Sequence, residues 1–524
     1  YRIGTHVNDL LFSRPVFHEG RLVAFVTLKA PQLDVGGAVP GGFSATKTSV
    51  YENGLVLSPR ALMLSGQPVR ETWTLIIDNA RFAPVLVRDM QTICDCLDLG
   101  ERLLLASLER YGTDAVHGAM RYACDADAER MSRALAAVPD GTWHGEALVD
   151  CDGLDASEEY PVRCTLRKRG ARIEIDLSGT ARQARTSING TFLDVKATVG
   201  VALKFLFDPN GRFTSGMYRP VDIVIPPGAI CSALPPDGVV FAYGESTNAM
   251  LLAILQAMAD AVGEAAIAGD VGSPNLHTAR GVATDGSPWI AVGVAGGEAG
   301  PWGATSAGDA DSYSKFYQAN SIDTAIEVSE ADSPVVILRR EYVVDSAGAG
   351  FNRGGAAVLK DSTFLAPASH SLIVLRFKEP TGKGVRGGAD GATGGVWLWH
   401  PQAGERVARP ARGIEGFRSA IRVAGRLDRD SGAPSAQGEY HWFGRDPEWA
   451  TQPGAVWRYM TNGGGGWGDA RTRDPERVRR DVRDGYVSVD GARADYAVVI
   501  VGDPARDPEG LRVDVDATAA LRLK

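Results

Sequence analysis

Sixty-two of the 524 residues in this chain are glycine, and that frequency limits the fold more than any other feature. Glycine in a helix interior loses more backbone freedom than any other residue, whereas tight turns and close backbone approaches call for it. With helix formers not dominant, the chain is expected to hold many turns and much β-structure. Its length exceeds what one ordinary core organises, so two to four domains are expected. The class that follows is α+β: a large, multi-domain, β-rich chain with several packed helices.

The pattern along the chain supplies the elements. Residues 15–30 (PVFHEGRLVAFVTLKA) predict two strands around a His18-Glu19-Gly20 turn, and Gly36 to Gly42 a glycine-rich loop. A helix is predicted from Pro84 to about Tyr111, with Leu97, Leu103, Leu104 and Leu108 as its apolar stripe and Gly112 as its stop. A second runs from Asp114 to Ala137, before Pro139-Asp140-Gly141. Alternation at Val162, Cys164, Leu166 and again at Ile173, Ile175, Leu177 predicts a hairpin, with Arg167-Lys168-Arg169 as a solvated tip. Helices near 193–207 and 247–263 follow, then short strands and turns from Trp289 to Trp457, and a polar helix from Asp474 to Asp484. These shifts divide the chain into 1–112, an N-terminal α/β segment; 113–275, an α+β middle; 276–470, β-rich; and 471–524, a helix and tail.

Charge and composition exclude several classes. The net charge is −9 and no long basic stripe is present, so nucleic acid is not expected as a partner. The most apolar run, Ala249 to Val262, is broken by Gln256 and Asp260 and is too short to span a bilayer, which makes it a core helix and leaves no membrane role. The six cysteines contain no Cys-x-x-Cys pair and read as free thiols in a reducing cytoplasm. The chain opens without an initiating Met, in what reads as mid-domain.

Few segments carry chemistry. His6 and Asp9 set an imidazole and a carboxylate three residues apart, a spacing that can bring both to one side of a turn and suits zinc or manganese. Asn462 to Asp469 formally contains G-x-G-x-x-G, but a dinucleotide site needs a βαβ unit, and the helix after it is densely charged. No phosphate-loop or G-x-S-x-G sequence is present, and the other histidines are scattered singly. Gly244-Glu245-Ser246-Thr247-Asn248 precedes the most apolar helix. Ser246 or Thr247 is expected to cap it, and an anion site at the helix start is the alternative.

Taken in order, the segments resemble the hydantoinase B/oxoprolinase family along nearly the whole chain. They are Gly4-Thr5-His6 with Asp9, Asp34-Val35-Gly36-Gly37, Glu109-Arg110-Tyr111-Gly112, Pro139-Asp140-Gly141-Thr142, Asp176 to Thr180 with Ile188-Asn189, Tyr218-Arg219-Pro220, Asp345 to Gly350 with Arg353-Gly354-Gly355, and Gly463 to Asp469 with Asp474-Pro475. The resemblance implies a cytoplasmic subunit that self-dimerises within a larger hetero-oligomer and works with a hydantoinase A-like, ATP-binding subunit. It implies either ATP-dependent opening of cyclic amides or ATP- and bicarbonate-dependent carboxylation of ketones. It also places a divalent metal (zinc or manganese) on His6 and Asp9, but its third ligand falls on Pro31, which cannot ligate through its side chain; either Gln32 or Asp34 substitutes, or the metal chemistry has been lost. The stretch Asp309 to Asn320 lacks the His-x-His that hydrolase members carry there. No catalytic residue is assigned.

The first expectation is therefore a subunit of an ATP-dependent ketone carboxylase of the acetophenone type, which takes a ketone and bicarbonate to a β-keto acid. The second is a cyclic amidohydrolase subunit with an altered metal shell, and the third a non-catalytic dimeric scaffold.

Overall fold

Helices and antiparallel sheets share the chain, as the glycine-rich, period-switching sequence requires. The computed structural model describes residues 6–42, 47–239, 244–272, 276–294, 297, 299–319, 324–373, 376–400, 417–442 and 449–523. Gly4, Thr5 and Asn320 lie outside them. Two units form, each from separated stretches: 1–141, 167–175 and 182–243 make the first, and 142–166, 176–181 and 244–524 the second.

The first unit is headed by a long ribbon, β1 (Asp9–His18) antiparallel to β2 (Arg21–Pro31). Glu19 and Gly20 both take positive φ, 51° and 72°, the conformation whose twist matches a two-residue hairpin. The ribbon reaches six residues further toward the N-terminus than the sequence pattern indicated. One face packs Phe12 and Val26 with Leu86, Met90, Ile93 and Leu97 of the helix Ala83–Tyr111. There Gly100 leaves space that a Cβ would close to 2.6 Å from Val26. Leu103, expected in the buried stripe, is 63 % exposed. The true stripe runs 86, 90, 93, 97, a 3.6-residue period from which position 103 has rotated away. Gly112 ends the helix with its N–H on Leu108 O at 2.8 Å, and the helix Thr113–Ala136 follows at once.

The hairpin tip also departs from expectation. Lys168 is buried, its Nζ bound to Val138 O and to Asp140 Oδ1 at 2.8 Å, so this one residue of the basic run is an anchor, while Arg169 is exposed as expected. A strand's alternation puts Lys168 on the opposite side from its two arginine neighbours.

The second unit carries a six-stranded antiparallel sheet in the order Val335–Tyr342, Val358–Phe364, Val456–Met460, Gly395–Trp399, Ile421–Leu427, Glu439–His441. A four-stranded sheet runs Pro288–Val292, Leu276–Val282, Ala368–Ile373, Trp449–Thr451. Phe364, Val396, Leu398, Trp457 and Ala279 share one core. Gly463 to Gly466 explains part of the glycine count. A Cβ on each would lie 1.8 Å from Ser346 O, 1.9 Å from Trp302 O, 2.2 Å from Lys383 O and 2.2 Å from Ala349 O. Four consecutive residues thus meet backbone on every side, and their N–H groups donate to Ala392, Gly355, Gly269 and Ala389 carbonyls. The run is a backbone junction, with no parallel βαβ unit around it among the described residues. The helix Ser246–Val262 is buried nearly throughout, and no disulfide joins any of the six cysteines. Among the described residues no helix is long and apolar enough to cross a membrane.

Candidate functional site

The register of the ribbon assembles a site at its open end. Asp9 pairs with Pro31, Asn8 O accepts the Gln32 N–H at 2.8 Å, and the Asp9 N–H closes a turn onto His6 O at 3.0 Å. His6 and Asp9, the two residues the resemblance gives to a metal, are thereby brought together, with Nε2 3.6 Å from Oδ1. Lys29, on the same face of β2 as Pro31, places its Nζ 3.0 Å from Asp9 Oδ2. Burial pushes the His6 imidazole below its ordinary pKa; Asp9 acts against this, and Lys29 and Lys47 add to it.

Asp34, the possible substitute ligand, is committed elsewhere. Its Oδ2 accepts Arg81 N and Nε, each at 2.8 Å, and its Oδ1 accepts Arg81 Nη2 at 2.8 Å and Gly41 N at 3.2 Å. Burial alone would raise this carboxyl, but the Arg81 and Gly41 bonds hold it below the usual range. Gln32 is buried, donates Nε2 to Ala30 O at 3.1 Å and leaves Oε1 without a hydrogen-bond partner among the described residues. Asn8 donates Nδ2 to Gln32 O at 2.8 Å and likewise leaves Oδ1 unpartnered, as does Asn53.

The glycine loop brings up one more group. Gly36 and Gly37 have φ of 86° and 92°, and a side chain on Gly37 would strike the 52–53 backbone at 2.7 Å. Laid down in this way, the loop puts Asn53 O, Asn8 Oδ1 and Lys47 Nζ around Gly42, at 3.1, 3.3 and 3.9 Å from where its Cβ would be. Lys47 is 3 % exposed and donates to Gly42 O. Burial lowers its pKa to about 8, with Glu52 acting the other way. Neither Lys47 nor Arg81 was singled out from the sequence, since a lone basic residue in a polar loop has no period or motif to mark it.

These residues do not fit a divalent cation. Among the described residues no three His, Cys, Asp or Glu side chains gather as a metal-binding group. Asp9 already carries an ammonium, Asp34 a guanidinium, and a second ammonium lies within the field of His6.

In the second unit, the expected caps of the helix Ser246–Val262 do not form: no side chain among the described residues caps it, and Glu245 occupies the cap position. Asn248, in the same stretch, serves a buried arginine instead. Arg376 donates to Asn248 Oδ1 at 2.8 Å, Leu148 O at 2.9 Å and Gly272 O at 3.2 Å, with Glu245, Asp150 and Asp270 in its field. Three carboxyl groups around one guanidinium do not make an anion site. The histidines are not all single: His277 Nε2 and His370 Nδ1 lie 2.9 Å apart, stacked beside Trp457. Asp309, in the stretch without His-x-His, is taken up by Arg473 and Arg477 and falls to about 2, because burial is outweighed by the Arg473 hydrogen bonds.

A ribbon-headed unit with a His–Asp pair, and a β-rich unit tied by a glycine junction, define a large α+β chain of hydantoinase B build. This chain belongs to the Hydantoinase B/oxoprolinase family, whose profile matches residues 1–470. It is 28 % identical to the beta subunit of the caprolactamase of Pseudomonas jessenii over 96 % of this chain and 82 % of that one. It is 26 % identical to a protein of Pseudomonas sp. (strain NS671) described as the B component of a putative D-/L-hydantoinase, over 97 % and 81 %. To the acetophenone carboxylase delta subunit of Aromatoleum aromaticum it is 25 % identical over 36 % of this chain and 27 % of that one. The crystal structure of the ATP-dependent caprolactamase from Pseudomonas jessenii superposes with a TM-score of 0.83 at 25 % identity, covering 100 % of this chain and 84 % of the other.

Proposed function

We propose that this chain is the hydantoinase B-type subunit of an ATP-dependent complex that opens a cyclic amide, with ATP bound by a hydantoinase A-like partner. The observation that carries this reading is the pair of buried acceptors, Asn8 Oδ1 and Gln32 Oε1, left unpartnered among the described residues beside the His6–Asp9 turn. An amide ring brings an N–H to such oxygens and a carbonyl oxygen to a nearby donor. A ketone has no N–H and would leave the acceptors unpaired, at about 1–3 kcal/mol each. The breadth of the likeness to the caprolactamase and hydantoinase proteins supports the same choice.

Ketone carboxylation with bicarbonate is the second reading, favoured by the stretch similar to an acetophenone carboxylase component and by Pro31 at a ligand position. The purified complex, given ATP, is expected to open a lactam or hydantoin in a bicarbonate-independent reaction. Incorporation of labelled bicarbonate into acetophenone, with no ring opening across lactams, hydantoins and oxoproline, would reverse the order of the two readings.

A further inference from the structure

We propose that the ammonium group of Lys47 is the positive centre of the ribbon-end site, holding the ligand's carbonyl or anionic oxygen beside Gly42 in the role a divalent metal would otherwise fill. The inference rests on the reading of this ribbon end as a substrate site.

The charges point this way first. Asp9 and Lys29 are paired at 3.0 Å and cancel, and Asp34 is balanced by Arg81 at 2.8 Å. Lys47 remains. The carboxylate in its field, Glu52, turns Oε1 to the backbone N–H groups of Thr48 and Ser49 at 3.1 and 3.0 Å, and Lys47 makes no ion pair among the described residues. Lys47 is therefore the one buried cation of the site with no carboxylate in direct contact among the described residues. A divalent cation would be repelled from it, whereas an oxygen carrying negative charge would be drawn in.

Geometry gives the charge a direction. An ammonium has three donors, and Lys47 uses one on Gly42 O. Its other two protons have no partner among the described residues although the side chain is 3 % exposed. Buried donors kept unpaired are costly, so a ligand oxygen is the natural acceptor. Gly42 has φ of 71°, and any Cβ there would crowd Asn8 Oδ1 and Asn53 O. A donor (Lys47 Nζ) and an orphan acceptor (Asn8 Oδ1) thus face the same point beside Gly42, at 3.9 and 3.3 Å from it. A carbonyl oxygen with an adjacent N–H meets both.

The test avoids turnover, so that its failure is separable from failure of the amide reading. The purified complex is dialysed against zinc or manganese, and bound metal is measured. Acetate, standing for a carboxylate, and inorganic phosphate, standing for a phosphorylated oxygen, are then titrated calorimetrically into wild type, Lys47→Met and Lys47→Arg. No stoichiometric metal is expected. At least one anion should bind wild type and Lys47→Arg, and bind Lys47→Met about tenfold more weakly or worse. Should the Met variant not fold, Lys47→Gln takes its place. Which anion binds separates the carboxylate from the phosphate source. Stoichiometric metal that disappears in His6→Ala would overturn the inference. So would anion affinity unchanged by loss of the ammonium, or no binding of either anion to wild type.

Discussion

Lys47 illustrates how a residue can be kept against the interest of the fold. Its ordinary pKa of 10.5 falls to about 8 because the ammonium is buried. A base lowered in the folded state contributes stability above its unfolded pKa, and that contribution is lost as pH falls through the folded value. At pH 7 the charged group is therefore a net cost, at most about 3 kcal/mol by the size of the shift. Lys47→Met should accordingly unfold at higher urea than wild type at pH 7, by about 1–3 kcal/mol, and the gap should narrow as pH rises from 8 towards 10.5. A Met variant less stable than wild type at pH 7 would mean that the amino group holds the loop together and is not set aside for a ligand. Nothing in the sequence could have marked Lys47, because its burial depends on Gly37 and Gly42 folding the loop over residues 52–54. His6 and Asp9 were legible, since three residues suffice to close their turn. The loss of Asp34 to Arg81 was not, as those two stand 47 positions apart.

At the scale of elements, sequence periodicity performed well where one face decides the structure. The helix Ala83–Tyr111 and the helix Thr113–Ala136 fall within a residue of their patterns, and the ribbon keeps its turn and its end while starting six residues earlier than its pattern. It performed poorly where a residue's partner lies on another element. Lys168 reads as a solvated tip until Asp140 is placed beside it, and the stretch from Glu245 to Asn248 reads as a cap until Arg376 is placed against Asn248. Glycine divides in the same way. Gly118, inside the helix Thr113–Ala136, has open space where a Cβ would go, so Gly118→Ala should stabilise by about 1 kcal/mol through backbone entropy alone. Gly464→Ala would thrust a methyl to 1.9 Å from Trp302 O, which is backbone and cannot swing aside. That variant should lose at least about 3 kcal/mol, or fail to accumulate as folded protein. Denaturation midpoints of the two variants should move in opposite directions. A tolerated alanine at 464 would show that the junction is looser than its spacing implies.

Across the whole molecule, the chain crosses between its two units several times, at 142, 167, 176, 182 and 244. A reading by composition yields contiguous segments, whereas compactness is decided by contacts between distant stretches. The buried polar centre of the second unit shows the consequence: Asp150, Asp270 and Arg376 are far apart in sequence and together only in space. Burial raises Asp150 to about 6, ahead of the opposing Lys378 and Phe377 N–H bonds and the Arg376 charge. A carboxyl raised in the folded state contributes stability that is full below its unfolded pKa near 3.8 and lost as pH climbs through about 6. His277 and His370 act in the contrary sense. Burial lowers both, His370 to about 3, so their contribution is full above 6.5 and lost as pH falls. The wild-type profile thus mixes two opposed slopes, and only a substitution separates them. Asp150→Asn can keep an acceptor for the Phe377 and Lys378 N–H groups, each 2.7 Å from Oδ2, while removing the ionisation. Relative to wild type the variant should gain about 1–3 kcal/mol between pH 5 and pH 8, read as the change in the difference of urea unfolding free energies. If that difference is the same at both pH values, Asp150 is ionised throughout and Arg376 outweighs its burial.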